Sequence, residues 1–354
     1  VQSSLAPFCK EIRTDPLGNL IGYRPAAEKN GESSRSVMLA AHMDEIGFIV
    51  SHVDEELGFL RINPVGGFDP RTLVAQRVTV HTESGPILGV MGSKPIHIMT
   101  EAEKAKAPEI KQYYVDVGLK GEEAVKKVDI GDRVTLSRDF ASLGDSVTGK
   151  ALDDRAGVFV MIEALRSLGD DALGVDVYAV ATVQEEVGLR GAQTSAFGVE
   201  PDLGIALDVT VASDVPDAKT HEYVSSLGEG VAIKLMDGSS ICDRGMVKKL
   251  RELAKDKEIP VQLEILTAGG TDAGAIQRSR SGVRTAALAI PTRYLHSTVE
   301  MAHKKDIEAT VKLLAEFLRV SFLAPDQLPV GLLDDDQLEA VTLDVQLVAD
   351  AAIG

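Results

Sequence analysis

The chain has 354 residues, 44% of them hydrophobic, which is enough for one large core or two domains. A formal net charge of −17 argues against nucleic acids and anionic membranes as partners. No apolar run reaches the roughly 20 residues of a membrane-spanning helix, and residues 1–10 lack the basic start and apolar centre of a secretory signal. Because the two cysteines, Cys9 and Cys242, are too few for a disulfide framework, the sequence predicts a cytoplasmic protein.

The first part of the chain contains short strand-like segments. Residues 36–41 are apolar and predict a buried strand, and residues 47–53 and 58–64 predict a hairpin around an acidic turn. From residue 67 to residue 148, short β-like runs alternate with turn residues, and one short helix is predicted at 121–127. This alternation of short β-like runs and turn residues predicts a small β domain inserted into a larger one.

From residue 149 onward, strands and helices alternate. Apolar runs predict strands at 175–183, 203–209, 261–266 and 283–290, and helical spacing predicts helices at 154–168, 244–257 and 306–322, with a short helix at Ile276. Such alternation predicts an α/β fold in which helices cover both faces of a sheet. Binding sites in these sheets collect at the carboxyl ends of the strands.

Seven residues of metal-binding type end or follow these apolar runs. They are His42, Asp44, Asp153, Glu185, Glu186, Asp208 and His296. Two imidazoles with several carboxylates suit a pair of divalent cations: Zn²⁺ fits, and Co²⁺ and Mn²⁺ fit nearly as well. Such a pair supplies a nucleophile at neutral pH and stabilises the charge on a carbonyl under attack. The sequence therefore predicts a metallohydrolase.

Each motif also has an ordinary explanation. A single histidine at a strand end, such as His42, is more often a polar boundary residue. The adjacent Glu185 and Glu186 are equally consistent with a polar surface. Asp153 and Asp154 could both satisfy free backbone N–H groups at a helix start, and we assign that role to Asp154.

The metal hypothesis gives the remaining residues distinct roles. Asp44 lies two positions after His42, so on a strand both face the same side and Asp44 can orient the imidazole through a hydrogen bond. Asp153 would bridge two cations. Of the adjacent pair, Glu186 would bind metal and Glu185 would be the general base.

Taken together and in order, these segments resemble the tetrahedral aminopeptidases, a family that also holds bacterial glutamyl and deblocking aminopeptidases. The similar segments are residues 41–48, 151–157, 182–192, 206–210, 269–275 and 290–297. The resemblance runs from about residue 13 to residue 322. It implies that His42 and Asp208 hold one cation, that Glu186 and His296 hold the other, and that Asp153 bridges them.

The resemblance also implies an architecture. The fold would be a three-layer α/β/α metallopeptidase core made of residues 1–66 and 149–324. Residues 67–148 would form an inserted PDZ-like β domain for dimerisation and assembly, and residues 325–354 an acidic tail. Dimers of such chains would build a hollow tetrahedral dodecamer.

The activity implied by the resemblance is release of N-terminal residues from short peptides inside this assembly. Residues 208–230 resemble those of members that favour neutral residues such as Leu. Three alternatives stay open within enzymes: a metal-dependent deacylase or deblocking hydrolase, a carboxypeptidase, and a glucanase, although a glucanase needs paired carboxylates around a sugar. A metal-stabilised assembly protein without turnover is the alternative from another class.

Overall fold

The computed structural model describes residues 1–27 and 35–320. Eleven strands form one mixed sheet, in the order β1-β2-β12-β3-β13-β16-β17-β11-β10, with β14 joined to β16 and β15 to β14. These strands are β1 Glu11–Thr14, β2 Leu20–Arg24, β3 Arg35–His42, β10 Ala141–Leu143, β11 Ser146–Gly149, β12 Val175–Thr182, β13 Leu203–Val211, β14 Val231–Met236, β15 Val261–Ile265, β16 Arg284–Arg293 and β17 Glu300–His303.

Six further strands close into a barrel in the order β4-β5-β8-β7-β6-β9. They are β4 Gly47–Val53, β5 Leu60–Val65, β6 Arg77–Thr82, β7 Gly85–Gly92, β8 Tyr114–Asp116 and β9 Arg133–Leu136. The barrel has its own core, which includes Phe48, Leu60 and Met91. The hairpin predicted around the acidic turn is confirmed, because β4 pairs antiparallel with β5.

The extent of the barrel differs from the expected insert at residues 67–148. Strands β4 and β5 precede residue 67 yet belong to the barrel, while β10 and β11 lie in the main sheet. Alternation of apolar residues identifies a strand but does not show which sheet the strand joins. Here the pairing of β4 with β9 places β4 in the barrel.

Most of the helices pack on the main sheet, and the two at 101–104 and 121–125 connect strands of the barrel. The helices are α1 Gln2–Leu5, α2 Glu101–Lys104, α3 Gly121–Val125, α4 Leu152–Leu168, α5 Arg190–Val199, α6 Arg244–Asp256, α7 Asp272–Gln277 and α8 Lys304–Val320, with short 3₁₀ turns at Ala6–Phe8, Pro70–Thr72, Ile96–Ile98, Ile110–Gln112 and Thr220–Glu222. Helices α4, α6 and α8 share the larger core, and α5 and α7 pack on the opposite face. The expected α/β fold with two helical layers is confirmed.

Strand β3 shows why a central strand of this sheet is a continuous apolar run in the sequence. Val37, Leu39 and Ala41 point into the core under α4, whereas Met38 and Ala40 point into the core under α5 and α7. A strand covered on both faces needs apolar side chains at every position.

The central strands β3, β12, β13 and β16 run parallel, so their carboxyl ends meet at one edge. Helix α8 reaches Val320, and the acidic tail at 325–354 lies outside the described residues. Among the helices in the described ranges, none is both long and apolar enough to cross a membrane.

Candidate metal centre

The seven residues singled out in the sequence meet at the carboxyl edge of the parallel strands. His42 ends β3 beside Thr182, the last residue of β12, and Glu185 and Glu186 follow β12 directly. Asp208 lies near the end of β13. The two remaining ligand candidates are Asp153, at the start of α4, and His296, after β16.

Asp153 stands between two groups of possible ligands. One group is His42, Asp153 and Asp208, and the other is Asp153, Glu186 and His296; within each, the ligand atoms lie within 4.8 Å of one another. Oδ1 of Asp153 is 2.9 Å from Nε2 of His42, and Oδ2 is 3.3 Å from Nε2 of His296. Each oxygen of this one carboxylate therefore faces a different group.

The donor set fits divalent cations. Oδ1 of Asp153 and Oε1 of Glu186 are buried, and neither accepts a hydrogen bond of good geometry. The imidazole nitrogen Nε2 of His42 lies 2.9 Å from Oδ1 of Asp153. Buried carboxylate oxygens of this kind are costly unless they meet positive charge. The imidazole nitrogens and carboxylate oxygens gathered here are ligands that Zn²⁺, Co²⁺ and Mn²⁺ accept.

Negative charge is in excess at this edge. Burial, and next the neighbouring Asp208, raise the pKa of Glu185 to about 10. Burial, and next Asp153, raise the pKa of Glu186 to about 7. The pKa of Asp208 is also well above its usual value, first through burial and then through Asp153. Cations among these groups would lower all three pKa values, because positive charge favours the ionised form.

The histidines respond in the opposite sense. Burial lowers the pKa of His296, but the hydrogen bond with Asp153 and the charge of Glu186 outweigh burial and raise that pKa to about 9. Burial likewise lowers the pKa of His42, but Asp153, Asp154 and Asp208 together raise it well above its usual value. Both shifts favour protonated imidazoles when no cation is bound, so metal binding should release protons.

Asp44 contacts the site in a way that differs from the expected one. The main-chain oxygen of Asp44, at 3.0 Å, contacts Nδ1 of His42, while its carboxylate is 3.7 Å from that nitrogen. The carboxylate instead accepts the backbone N–H groups of Glu185 and Glu186, at 3.1 and 3.2 Å. Asp44 thus orients the imidazole through its backbone and fixes the loop after β12 through its side chain.

Two further carboxylates, those of Glu300 and Asp154, hold the backbone of the candidate ligands, and the sequence does not indicate these contacts. Glu300 accepts the backbone N–H of Asp153 at 3.1 Å and that of His296 at 3.0 Å. Asp154 caps the helix through Gly157, as expected, and also accepts the backbone N–H of His42 at 3.1 Å. The contact of Asp154 with His42 and that of Glu300 with Asp153 carry no local sequence signal, because each joins distant segments of the chain.

The backbone is strained beside several of these residues. Residues other than glycine with positive φ next to or within the site include Ala151 (56°), Gln184 (57°), Tyr294 (60°) and His296 (58°). Such conformations cost free energy and persist where the surrounding structure enforces them, which is typical of functional sites.

A cavity of about 550 Å³ opens over the cluster. His42, Asp153, Glu185 and His296 line one part of it. The remainder is formed mainly by neutral residues of β13 and of the loop at 266–271. The site is therefore accessible to a small substrate or to the end of a peptide.

Comparison with known proteins identifies the class. The model of the M42 glutamyl aminopeptidase family matches residues 18–313. The chain therefore belongs to the M42 family of aminopeptidases and is a peptide hydrolase. Peptidases of this family are metallopeptidases, in keeping with the ligand cluster.

Individual relatives cover nearly the same part of the chain. A putative aminopeptidase of Acetivibrio thermocellus is 43% identical over 307 residues, which are 86% of this chain and 87% of the relative. The structure of an aminopeptidase from the archaeon Desulfurococcus kamchatkensis matches with a TM-score of 0.86 and 39% identity, over 94% and 92% of the two chains. The Pyrococcus horikoshii TET1 peptidase, described as assembling into a tetrahedron or a large octahedral shell, matches with a TM-score of 0.78 and 35% identity, over 90% of this chain and 92% of that one.

Proposed function

We propose that this chain is a dinuclear metal-dependent aminopeptidase that releases N-terminal residues from short peptides. The observation that carries the proposal is the sharing of Asp153 between two groups of ligand atoms, each with one histidine and one further carboxylate. A structural site is closed by four protein ligands, whereas groups of three ligands leave positions for substrate and water.

Five residues would hold the cations. His42 and Asp208 would bind one, Glu186 and His296 the other, and Asp153 would contribute one oxygen to each. When bound, two such ions lower the pKa of water and polarise the carbonyl of the scissile bond. Zn²⁺ is the first candidate, with Co²⁺ and Mn²⁺ as alternatives.

Glu185 is the residue left to move protons. Its Oε2 lies 3.9 Å from Nε2 of His42, and its carboxylate is nine-tenths buried on the cavity wall. Glu185 would take a proton from the attacking water onto its carboxylate and deliver it to the nitrogen of the leaving amine. The hydrogen bond from its backbone N–H to Asp44 would hold this carboxylate in place.

The cluster also suits a free amino terminus. A free α-amino group would bind one of the cations or a nearby carboxylate, and an acetylated amine could do neither. Residues 208–230, which resemble those of members favouring neutral side chains, support Leu-like N-terminal residues as the preferred substrates.

Assembly and location complete the proposal. The structural relative that forms a tetrahedron supports a homo-oligomer of the same kind, a dodecamer built from dimers. Residues 67–148, which the family resemblance implies to be PDZ-like, supply four of the six barrel strands, and we expect this part of the chain to mediate assembly. Two free thiols, Cys9 and Cys242, support the cytoplasm as its location.

The test is hydrolysis of aminoacyl-p-nitroanilides by metal-stripped protein, with and without added Zn²⁺, Co²⁺ or Mn²⁺. We expect cleavage to depend on added metal, to require a free α-amine and to be fastest with Leu. Matched N-acetylated substrates are the control. Cleavage of the acetylated substrates would indicate a deacylase, and failure to cleave any substrate with metal bound would indicate an assembly protein.

A further inference from the structure

A buried ion pair that belongs to neither group of candidate ligands contributes one residue, Lys234, to the cavity wall. Lys234 on β14 and Glu264 on β15 are directly paired in the parallel register of these strands. The ammonium group of Lys234 donates a hydrogen bond to Oε1 of Glu264. Lys234 is 1% exposed and Glu264 is fully buried, so water does not screen this pair.

The pair is held by the same strand that carries a ligand candidate. Thr210, two residues after Asp208 on β13, donates its hydroxyl to Oε1 of Glu264 at 2.7 Å. Oε2 of Glu264 is buried and has no hydrogen-bonding partner. Oε1 of Glu264 therefore accepts both hydrogen bonds, and Lys234 supplies the positive charge that compensates this carboxylate.

Apart from the acids and histidines of the metal centre, Lys234 is the one charged residue among the described residues that line the cavity. Its neighbours there include Thr210, Ser239, Leu266 and Ala268. Asp237 lies close behind, but its carboxylate accepts hydrogen bonds from Ser239, Ser240 and Thr271 and does not line the cavity.

We infer that the Lys234–Glu264 pair determines specificity: because the two charges cancel, the cavity wall favours uncharged N-terminal side chains. This inference rests on the proposed aminopeptidase function. A charged side chain entering this wall would lose water without gaining a counter-charge, which is costly in a buried site. Removing one partner would leave the other charge uncompensated and available to a substrate of opposite sign.

The test compares kcat/KM for Leu-, Lys- and Glu-p-nitroanilide in matched variants. Lys234→Met leaves the Glu264 carboxylate, so we expect the Lys-to-Leu ratio to rise by about tenfold or more. Glu264→Gln leaves the Lys234 ammonium, and we expect the Glu-to-Leu ratio to rise by about as much. The double variant Lys234→Met/Glu264→Met removes both charges, and we expect it to keep the neutral preference of the wild type.

A control shows whether the effect belongs to this pair. Lys257→Met breaks an ion pair with Glu316 in which the lysine is half-exposed, and we expect all ratios to stay unchanged. Unchanged ratios in both single variants, or a Lys-to-Leu ratio that rises equally in both, would overturn the inference. If the variants cleave Leu-p-nitroanilide with unaltered ratios, the aminopeptidase function stands and only this inference fails.

A measurement on the wild type covers the case in which a single variant does not fold. Norleucine, lysine and glutamate have side chains of similar length and differ mainly in charge. We expect norleucine to inhibit hydrolysis of Leu-p-nitroanilide about tenfold more strongly than either charged amino acid. Equal or stronger inhibition by lysine or glutamate would show that the wall is not neutral to substrate and would overturn the inference.

Discussion

At the scale of single residues, Asp153 connects the two halves of the site. Its side chain is 8% exposed, and each of its oxygens faces a different histidine. Burial alone would raise the pKa of Asp153, but the imidazoles of His296 and His42 beside its two oxygens lower it below its usual value, which favours the ionised carboxylate. A buried anion that is poised between two imidazoles is a suitable bridge for two cations.

Glu185→Gln separates proton transfer from metal binding. Glutamine keeps the size of the side chain but cannot take up a proton, and Glu185 belongs to neither group of ligand atoms. We expect the bound metal to stay at the wild-type level while kcat falls by about 10²–10⁴-fold. Metal content and kcat would be measured on the same preparation, with the exposed Glu252→Gln as control; a rate near that of the wild type would contradict the role of Glu185.

The residues that meet in the cluster could be predicted from the sequence, but their supporting contacts could not. His42 ends an apolar strand and Asp208 lies in the last half of one, and this local pattern marks the carboxyl edge of a sheet. Glu300 starts β17 and has no such signal, because its partners, Asp153 and His296, come from a helix start and a loop. For Asp44, the sequence placed the residue beside His42 but could not tell that its carboxylate turns toward the loop after β12.

At the scale of elements, the start of α4 is fixed by a carboxylate that touches both the helix and β3. Gly157 is needed there because a Cβ atom at this position would overlap both carboxylate oxygens of Asp154. Asp154 also accepts the backbone N–H of His42, so a shift of Asp154 would displace a proposed metal ligand.

Gly157→Ala should therefore destabilise the protein, although alanine favours helices in general. We expect a loss of about 1–3 kcal/mol in the free energy of unfolding, together with weaker metal binding. Gly198→Ala on α5 is the matched control: nothing lies near its Cβ, and a gain of about 0.5–1 kcal/mol is expected. Denaturant unfolding would measure both changes, and equal effects of the two substitutions would count against the packing described here.

The elements themselves were mostly predictable, and the exceptions have physical reasons. The runs at 175–183 and 203–209 correspond to β12 and β13, because strands buried on both faces are apolar at every position. The limits of the inserted domain could not be predicted in the same way. Strands β4 and β10 join different sheets, and long-range pairing rather than local sequence determines which sheet each strand joins. The roles of the parts in catalysis and assembly remain predictions.

At the scale of the whole molecule, the buried acids link stability to pH. Burial, and next Asp153, raise the pKa of Glu300 to about 8 in the folded state, and Glu186 reaches about 7, whereas an unfolded glutamate has a pKa of about 4.3. The folded chain thus holds protons that the unfolded chain has already released. The stability associated with these protons is complete below pH about 4.3 and is lost as the pH rises toward about 8.

Metal-stripped protein should consequently become less stable between pH about 5 and about 8. Thermal unfolding across this range would give a falling Tm. Added Zn²⁺ should raise Tm more at the upper end, because cations replace the protons on these groups. A Tm that rises with pH in the metal-stripped protein would contradict the excess of buried negative charge.

The most direct measurement of the central claim is the number of cations bound per chain. Elemental analysis of protein saturated with Zn²⁺ should give two ions for the wild type, about one for His296→Ala, and neither tightly bound for Asp153→Ala. The exposed Asp170→Ala should retain both. One ion in the wild type, or two retained by Asp153→Ala, would contradict a dinuclear centre that shares Asp153.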